Sequence, residues 1–197
     1  MMITALSQLD MNQRYSYADY LSWQFNERVE LLKGFIRRMS APNIKHQKIS
    51  TRFTKALGVF FEKHQCEVFH APFDVRLYNR QKSLLQDKDV YTVVQPDLCV
   101  VCDMEKLADG KSCNGAPEWI IEIISPASVI TDTKDKFALY EEAGVAEYWI
   151  VYPNEMFAQQ YVLCEGSYRY ENVFKAEDVA SPALFPDLKI TMSEIFQ

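Results

Sequence analysis

The chain reads as an α/β (α+β) protein, a mixed β-sheet flanked by helices, and three observations predict that class. Apolar, β-branched runs at 93–102, 117–124 and 147–152 have the composition of buried strands. Helical periodicity occupies 43–63 and 129–143. The order strand, strand, strand, helix, strand then calls for a sheet with helices packed against it.

Each element follows from its residues. Tyr17 to Phe25 reads as a short helix with Ser16 as its cap. Residues 30–39 form a hairpin turning at Lys33-Gly34. Pro42-Asn43 opens a long helix to about Lys63, in which Ile49, Phe53, Ala56, Leu57 and Phe60 share one arc. Strands follow at Cys66–His70 and Phe73–Tyr78, then a polar loop from Asn79 to Thr92 that needs no role but could close over a substrate. Val93 to Cys102 is strongly β, and Met104 to Ala116 is a second loop. The strand 117–124 stops at Ser125-Pro126. Val129 to Ala143 is a helix ended by Gly144, and Glu147 to Tyr152 a strand ended by Pro153. Phe157–Cys164 and Tyr168–Phe174 pair as a C-terminal β-hairpin around Glu165-Gly166, and a short helix from Ser193 closes the chain. No linker interrupts this order, so 1–197 is expected as a single domain.

Composition narrows the function classes. With 197 residues, 48% hydrophobic and 24% charged, the chain can bury a sizeable core, and disorder and repeat arrays are excluded. Its start has no basic region followed by an apolar stretch, and its longest apolar runs are far too short to span a bilayer. No membrane association is expected, and a cytoplasmic location is the default. Cys99-Val-Val-Cys102 has CxxC spacing, but residues three apart on a strand point to opposite faces, so the five cysteines read as buried free thiols. A net charge of −6 argues against nucleic-acid binding by the surface as a whole and leaves room only for a local basic face. The glycines fit no phosphate loop, no dinucleotide fingerprint and no nucleophile elbow, which disfavours kinases, ATPases, dinucleotide enzymes and serine hydrolases.

Carboxylates inside apolar strands are the sharpest anomaly. Glu122 lies in Trp-Ile-Ile-Glu-Ile-Ile and Asp97 in Val93 to Val101. An ionised side chain in such a run costs several kcal/mol, roughly, unless it is paired or holds a cation. Two such groups on neighbouring strands would repel unless a divalent cation sits between them, and Mg²⁺ or Mn²⁺ suits an all-oxygen site. Either residue alone is also compatible with a solvated strand end. Lys136 falls inside the apolar arc of its helix, with Asp132 one turn earlier. Two readings stand for it: an ammonium snorkelling to water, or one reaching the carboxylates of the preceding strand. His46 falls on the apolar arc of the long helix, as a satisfied core histidine or a neighbour of the site. Beside it, Lys45, Lys48, Arg52 and Lys55 make a basic stripe that is either a solvated face or a contact surface for DNA, with Arg37 and Arg38 nearby.

Gln95-Pro96-Asp97, then Glu122-Ile123-Ile124-Ser125-Pro126, then Asp132-(x)3-Lys136 resemble the PD-(D/E)XK nuclease superfamily. More closely, Tyr140 to Val151, Val29-Glu30-Leu31 with Gly34, and His46 are similar to its Uma-type branch of endonucleases, long catalogued as a domain of unknown function. The resemblance covers residues 15 to 195. It implies a restriction-endonuclease-like fold and metal-dependent hydrolysis of DNA phosphodiesters. Asp97, Glu122 and the backbone carbonyl of Ile123 would hold Mg²⁺ or Mn²⁺. Lys136 would orient the attacking water or offset charge on the phosphate, and Glu30 would complete the site by bonding water on the metal. His46 and Asp132 would support these groups from outside. The superfamily's lysine stands two residues after the glutamate, where this chain has Ile124; in this branch its task passes to Lys136. Cutting both strands of a duplex needs two active sites, which implies a homodimer.

Two competing classes use the same residues. A non-catalytic binding or regulatory protein on a degenerate nuclease scaffold would be indifferent to metal. A small-molecule phosphoesterase would need the carboxylates and no basic stripe.

Overall fold

Proline has no N–H to give to a ladder, and Pro96 divides the 93–102 run in two. The computed structural model describes residues 2–79, 86–126 and 128–197. In chain order the first elements are α1 (Tyr17–Tyr20), β1 (Val29–Leu32), β2 (Phe35–Arg38), α2 (Ile44–Phe61), β3 (Glu67–His70) and β4 (Val75–Leu77). Next come β5 (Thr92–Val94), β6 (Leu98–Val101), β7 (Cys113–Asn114) and β8 (Trp119–Ile123). A helix then opens with wide π turns at Thr131–Lys136 and continues as α3 (Phe137–Ala143). The C-terminal part contributes β9 (Glu147–Tyr152), β10 (Phe157–Cys164), β11 (Ser167–Lys175), β12 (Val179–Ala180), β13 (Ile190–Thr191) and α4 (Met192–Phe196).

The strands form two main sheets rather than one. Five are ordered β2-β1-β5-β4-β7, six are ordered β11-β10-β9-β8-β6-β3, and β12 pairs with β13 apart. Parallel pairs β8/β9 and β4/β7 among antiparallel neighbours make both sheets mixed. The chain crosses from one sheet to the other between β5 and β6, and Gln95-Pro96-Asp97 is the crossing. The run that reads as one β segment is therefore a corner, and Asp97 stands at the start of a strand, not inside one.

Alternation along the six-stranded sheet sorts its faces. Leu98, Val100, Trp119, Ile121, Ile123, Trp149 and Val151 pack beneath Ile49, Phe53, Leu57 and Phe61 of α2 and the C-terminal segment. Cys99, Val101, Ile120, Ile124, Tyr148 and Ile150 face the opposite way, against α3 and Leu32, Val75, Leu77 and Val94 of the five-stranded sheet. Glu122 has the parity of Ile120 and Ile124, so it points between the sheets. Glu30 has the parity of Leu32 and points to the same place.

Local signals hold at the turns and caps. Ser16 accepts from Asp19 N and Asn43 from His46 N, as caps should. Lys33 and Gly34 both have positive φ, the two-residue hairpin turn that matches strand twist, and a Cβ on Gly34 would sit 3.0 Å from Arg14 Cβ. The β10–β11 hairpin turns at Glu165-Gly166 as expected. The first helix stops at Tyr20 rather than Phe25, and Cys113–Asn114 inside the second loop is a strand. Asp87–Asp89 forms a single helical turn in the first loop, and residues 80–85, on which any closure of that loop would depend, lie outside the described residues. No helix among the described residues is long and apolar enough to cross a membrane.

The cysteines differ from expectation. β3 and β6 pair with Glu67 opposite Val101, which sets Cys66 opposite Cys102 one position further on, and the two form a disulfide. Register between distant strands is invisible in a residue count. Cys99, Cys113 and Cys164 remain free, the first two buried.

Glu147 is a further buried carboxylate, fully enclosed, and among the described residues it forms no ion pair. It accepts from Trp149 Nε1 at 2.6 Å, Gln160 Nε2 at 2.7 Å, Leu184 N at 2.9 Å and Ala183 N at 3.1 Å, tying the C-terminal segment to the sheet. Glu147→Ala strands four donors and is expected to lower stability by about 2–3 kcal/mol. Urea denaturation checks this; a midpoint equal to wild type would show the segment to be held by its apolar contacts alone.

Candidate active site

Five segments bring polar side chains into a cavity of about 860 Å³ between β1, β2, α2 and the ends of β5, β6 and β8. Glu30, His46, Asp97, Glu122, Ile123, Asp132 and Lys136 all line it. Glu30, Glu122, Asp132 and Lys136 are nonetheless almost wholly shielded from solvent. The π turns carry this last pair: wide turns shift the helical phase, and here both Asp132 and Lys136 point inward.

Lys136 settles between its two sequence readings by reaching the carboxylates. Its Nζ lies 2.8 Å from Glu30 Oε1, 3.0 Å from Glu122 Oε1 and 3.8 Å from Asp132 Oδ1. Burial alone would pull the ammonium's pKa down, but Glu122, Glu30 and Asp132 outweigh it and hold the group protonated. Burial pushes Glu122 up to about 8 and Asp132 up to about 6, with Lys136 pulling both back. Ile124, at the position of the superfamily's lysine, is buried in the core against α3.

In each carboxylate nearest the crossing one oxygen is held more firmly than the other. Asp97 Oδ2 accepts from Ile123 N at 2.7 Å and lies 3.1 Å from His46 Nε2. Glu122 Oε1 accepts from Tyr140 OH at 2.6 Å and from Lys136, while Oε2 has only Asp97 N at 3.4 Å. Burial pulls the His46 imidazole down, but Asp97, Asp132 and the Ile123 backbone outweigh it, so its pKa stands above the ordinary value. His46 is thus both buried and bonded to Asp97 at the cavity.

The donor set fits a hard cation. A strand residue's N–H and C=O leave on the same edge, so the Ile123 carbonyl faces Asp97 as its N–H does. Two carboxylates and one carbonyl are the oxygen ligands that Mg²⁺ or Mn²⁺ takes while keeping water. Among the described residues no group of three or more His, Cys, Asp and Glu forms a ready-made metal cage.

The basic stripe is not brought to the cavity as a unit. Lys55 lines it, Lys48 and Arg52 line a separate depression, and Lys45 lines neither. Arg52 Nη1 donates to Ile195 O at 3.1 Å and to the backbone oxygen of Gln197, pinning α4 to α2. Sequence reasoning missed Tyr140, whose ring reads as core and whose hydroxyl holds Glu122. It also missed Gln95 as more than a motif letter: its backbone N donates to Glu30 Oε1 at 2.8 Å.

These mixed sheets flanked by helices are a restriction-endonuclease-like fold. The model of the family described as "Uma2: Putative restriction endonuclease" matches residues 17–193, and the chain belongs to that family. It is similar to an uncharacterized protein of Synechocystis sp., 28% identical over 131 residues, which are 64% of this chain and 62% of that protein's length. Its fold is similar to the crystal structure titled as "a putative nuclease belonging to DUF820" from Anabaena variabilis, with a TM-score of 0.72 at 16% identity over 92% of this chain and 97% of the other.

Proposed function

We propose that this chain is a divalent-metal-dependent endonuclease that hydrolyses DNA phosphodiesters. One observation carries the reading: Asp97 and Glu122, from strands paired in one sheet, face a single cavity with Glu30 of the other sheet and Lys136 of the following helix. Membership of the Uma2 family supports it.

Asp97, Glu122 and the Ile123 carbonyl would hold the cation. When bound, Mg²⁺ or Mn²⁺ supplies Lewis acidity, polarising a non-bridging phosphate oxygen and making water a usable nucleophile near neutral pH. His46 and Ile123 N orient Asp97; Tyr140 and Lys136 orient Glu122. Glu30, held by Gln95 N, accepts a hydrogen bond from the attacking water, and Lys136 orients that water or offsets charge at the phosphate. On a duplex, cleavage of both strands calls for a homodimer.

The test is cleavage of supercoiled plasmid and of single-stranded DNA with Mg²⁺ and Mn²⁺, beside Mn²⁺ titration. A catalytic site binds Mn²⁺ and loses it in Asp97→Asn. A protein indifferent to Mn²⁺ and inert on both DNAs is the binding module instead.

A further inference from the structure

Lys136 has no positive charge to spare for an anionic substrate. Four carboxylates (Glu30, Asp97, Glu122 and Asp132) face Lys136, and the ammonium is engaged by three of them. With its ammonium so engaged, the cavity needs other cations to seat a phosphodiester, a group recognised chiefly by guanidinium and ammonium.

Arg28 stands two residues before Glu30 and so projects from the same face of the β1 segment into the same cavity. Its Nε and Nη2 donate to Gln95 Oε1 at 3.2 and 2.8 Å. The Gln95 amide cannot reverse, because its Nε2 is spent on Asp74 Oδ1 at 2.9 Å and Tyr20 OH at 3.2 Å. The half-buried guanidinium is thus held in one orientation by a neutral oxygen, and among the described residues no carboxylate forms an ion pair with it. Arg37 is the cross-strand partner of Glu30, lies at the cavity, is exposed and likewise has no carboxylate partner among them. Fixed orientation with charge left over is what a phosphate site requires; a structural arginine is usually matched by a carboxylate, as Arg76 is by Asp87 and Asp109.

We infer that Arg28, clamped by Gln95, and Arg37 form the phosphate-binding site of this pocket and seat the nucleic-acid backbone beside Asp97 and Glu122. The inference rests on the nuclease reading and replaces the Lys45–Lys48–Arg52 face with the β1–β2 hairpin as the main backbone contact.

The test is fluorescence anisotropy of a fluorescein-labelled oligothymidylate over a KCl series, with Ca²⁺ present to permit binding without turnover. Mn²⁺ affinity by electron paramagnetic resonance is measured in parallel. Arg28→Ala is expected to weaken oligonucleotide binding about ten- to hundredfold. The salt slope should shrink by about 0.7, Arg28→Lys should recover part of the loss, and Mn²⁺ affinity should hold. If Arg28→Ala fails to fold, Arg28→Gln, which keeps a stem and a donor without charge, gives the same readout. Arg37→Ala, on the surface, should weaken binding by a smaller factor and likewise reduce the slope. Wild-type affinity and slope in the Arg28 and Arg37 variants, with Mn²⁺ still lost in Asp97→Asn, would overturn the phosphate site and leave the nuclease reading standing. Absence of both Mn²⁺ and oligonucleotide binding in the wild type would remove that reading and this site with it.

Discussion

Glu122→Gln is expected to lower metal-dependent DNA cleavage by about 10²–10³-fold or more while leaving the fold intact, since such losses follow removal of a single transition-state contact. The amide preserves shape and can keep its carbonyl oxygen on Tyr140 and Lys136. What it loses is the charge, and the atom at the Oε2 position, which accepts only the long bond from Asp97 N, becomes an NH₂, which cannot ligate a cation. Lys136 retains Glu30 at 2.8 Å, so no buried ammonium is stranded. Asp97→Asn should act in the same direction, with a further loss of the Ile123 N and His46 contacts if the amide turns its nitrogen toward them. Plasmid nicking, single-stranded cleavage and Mn²⁺ binding are read on the same preparations. Equal nicking by wild type and Glu122→Gln would assign the activity to a contaminant and detach chemistry from this pocket.

The groups that form the pocket were legible because they break the patterns around them. A carboxylate in Trp-Ile-Ile-Glu-Ile-Ile and a lysine on an apolar helical arc are expensive unless they meet, and Glu122 and Lys136 do meet. Glu30 could be found only through resemblance, since a hairpin glutamate is ordinarily solvated. Other features were hidden because they depend on contacts between distant segments. Nothing short-range says that Pro96 sends the chain from one sheet into another, or that β3 pairs with β6 in the register that joins Cys66 to Cys102. Tyr140 and Glu147 look like an ordinary core ring and an ordinary surface acid, and only packing turns one into a donor to Glu122 and the other into a fourfold acceptor. The basic stripe shows the same limit. Periodicity finds a helical face, but whether an arginine there waits for phosphate or caps the chain's own carbonyls, as Arg52 does, is decided by what folds onto it.

Lys136→Met should destabilise the metal-free protein by about 3–5 kcal/mol near pH 8, the penalty expected when one partner of a buried ion cluster is removed. At about 2–4 °C per kcal/mol for a chain of this size, the midpoint falls by about 10 °C. Methionine fills much of the lysine stem's volume, so the loss reports charge rather than a cavity. The deficit must also depend on pH, with a sign fixed by linkage. Glu122 and Asp132 already stand above their ordinary values of 4.5 and 3.8, raised by burial and pulled back by Lys136. Without the ammonium both rise further. An acid with a higher pKa folded than unfolded binds more protons in the fold, so stability falls as pH rises through that interval. The variant should therefore lie nearest wild type at about pH 5, where these carboxyls are largely protonated in both. It should diverge as wild-type Asp132 ionises above about 6, and diverge further as Glu122 follows at about 8. Urea denaturation in EDTA across that range measures it. In the double variant with Glu122→Gln the two losses should be less than additive, because one carboxylate left without its cation has been neutralised. A deficit that is constant with pH, or fully additive losses in the double variant, would mean that Lys136 is held by packing and that the carboxylates find their counter-charge elsewhere.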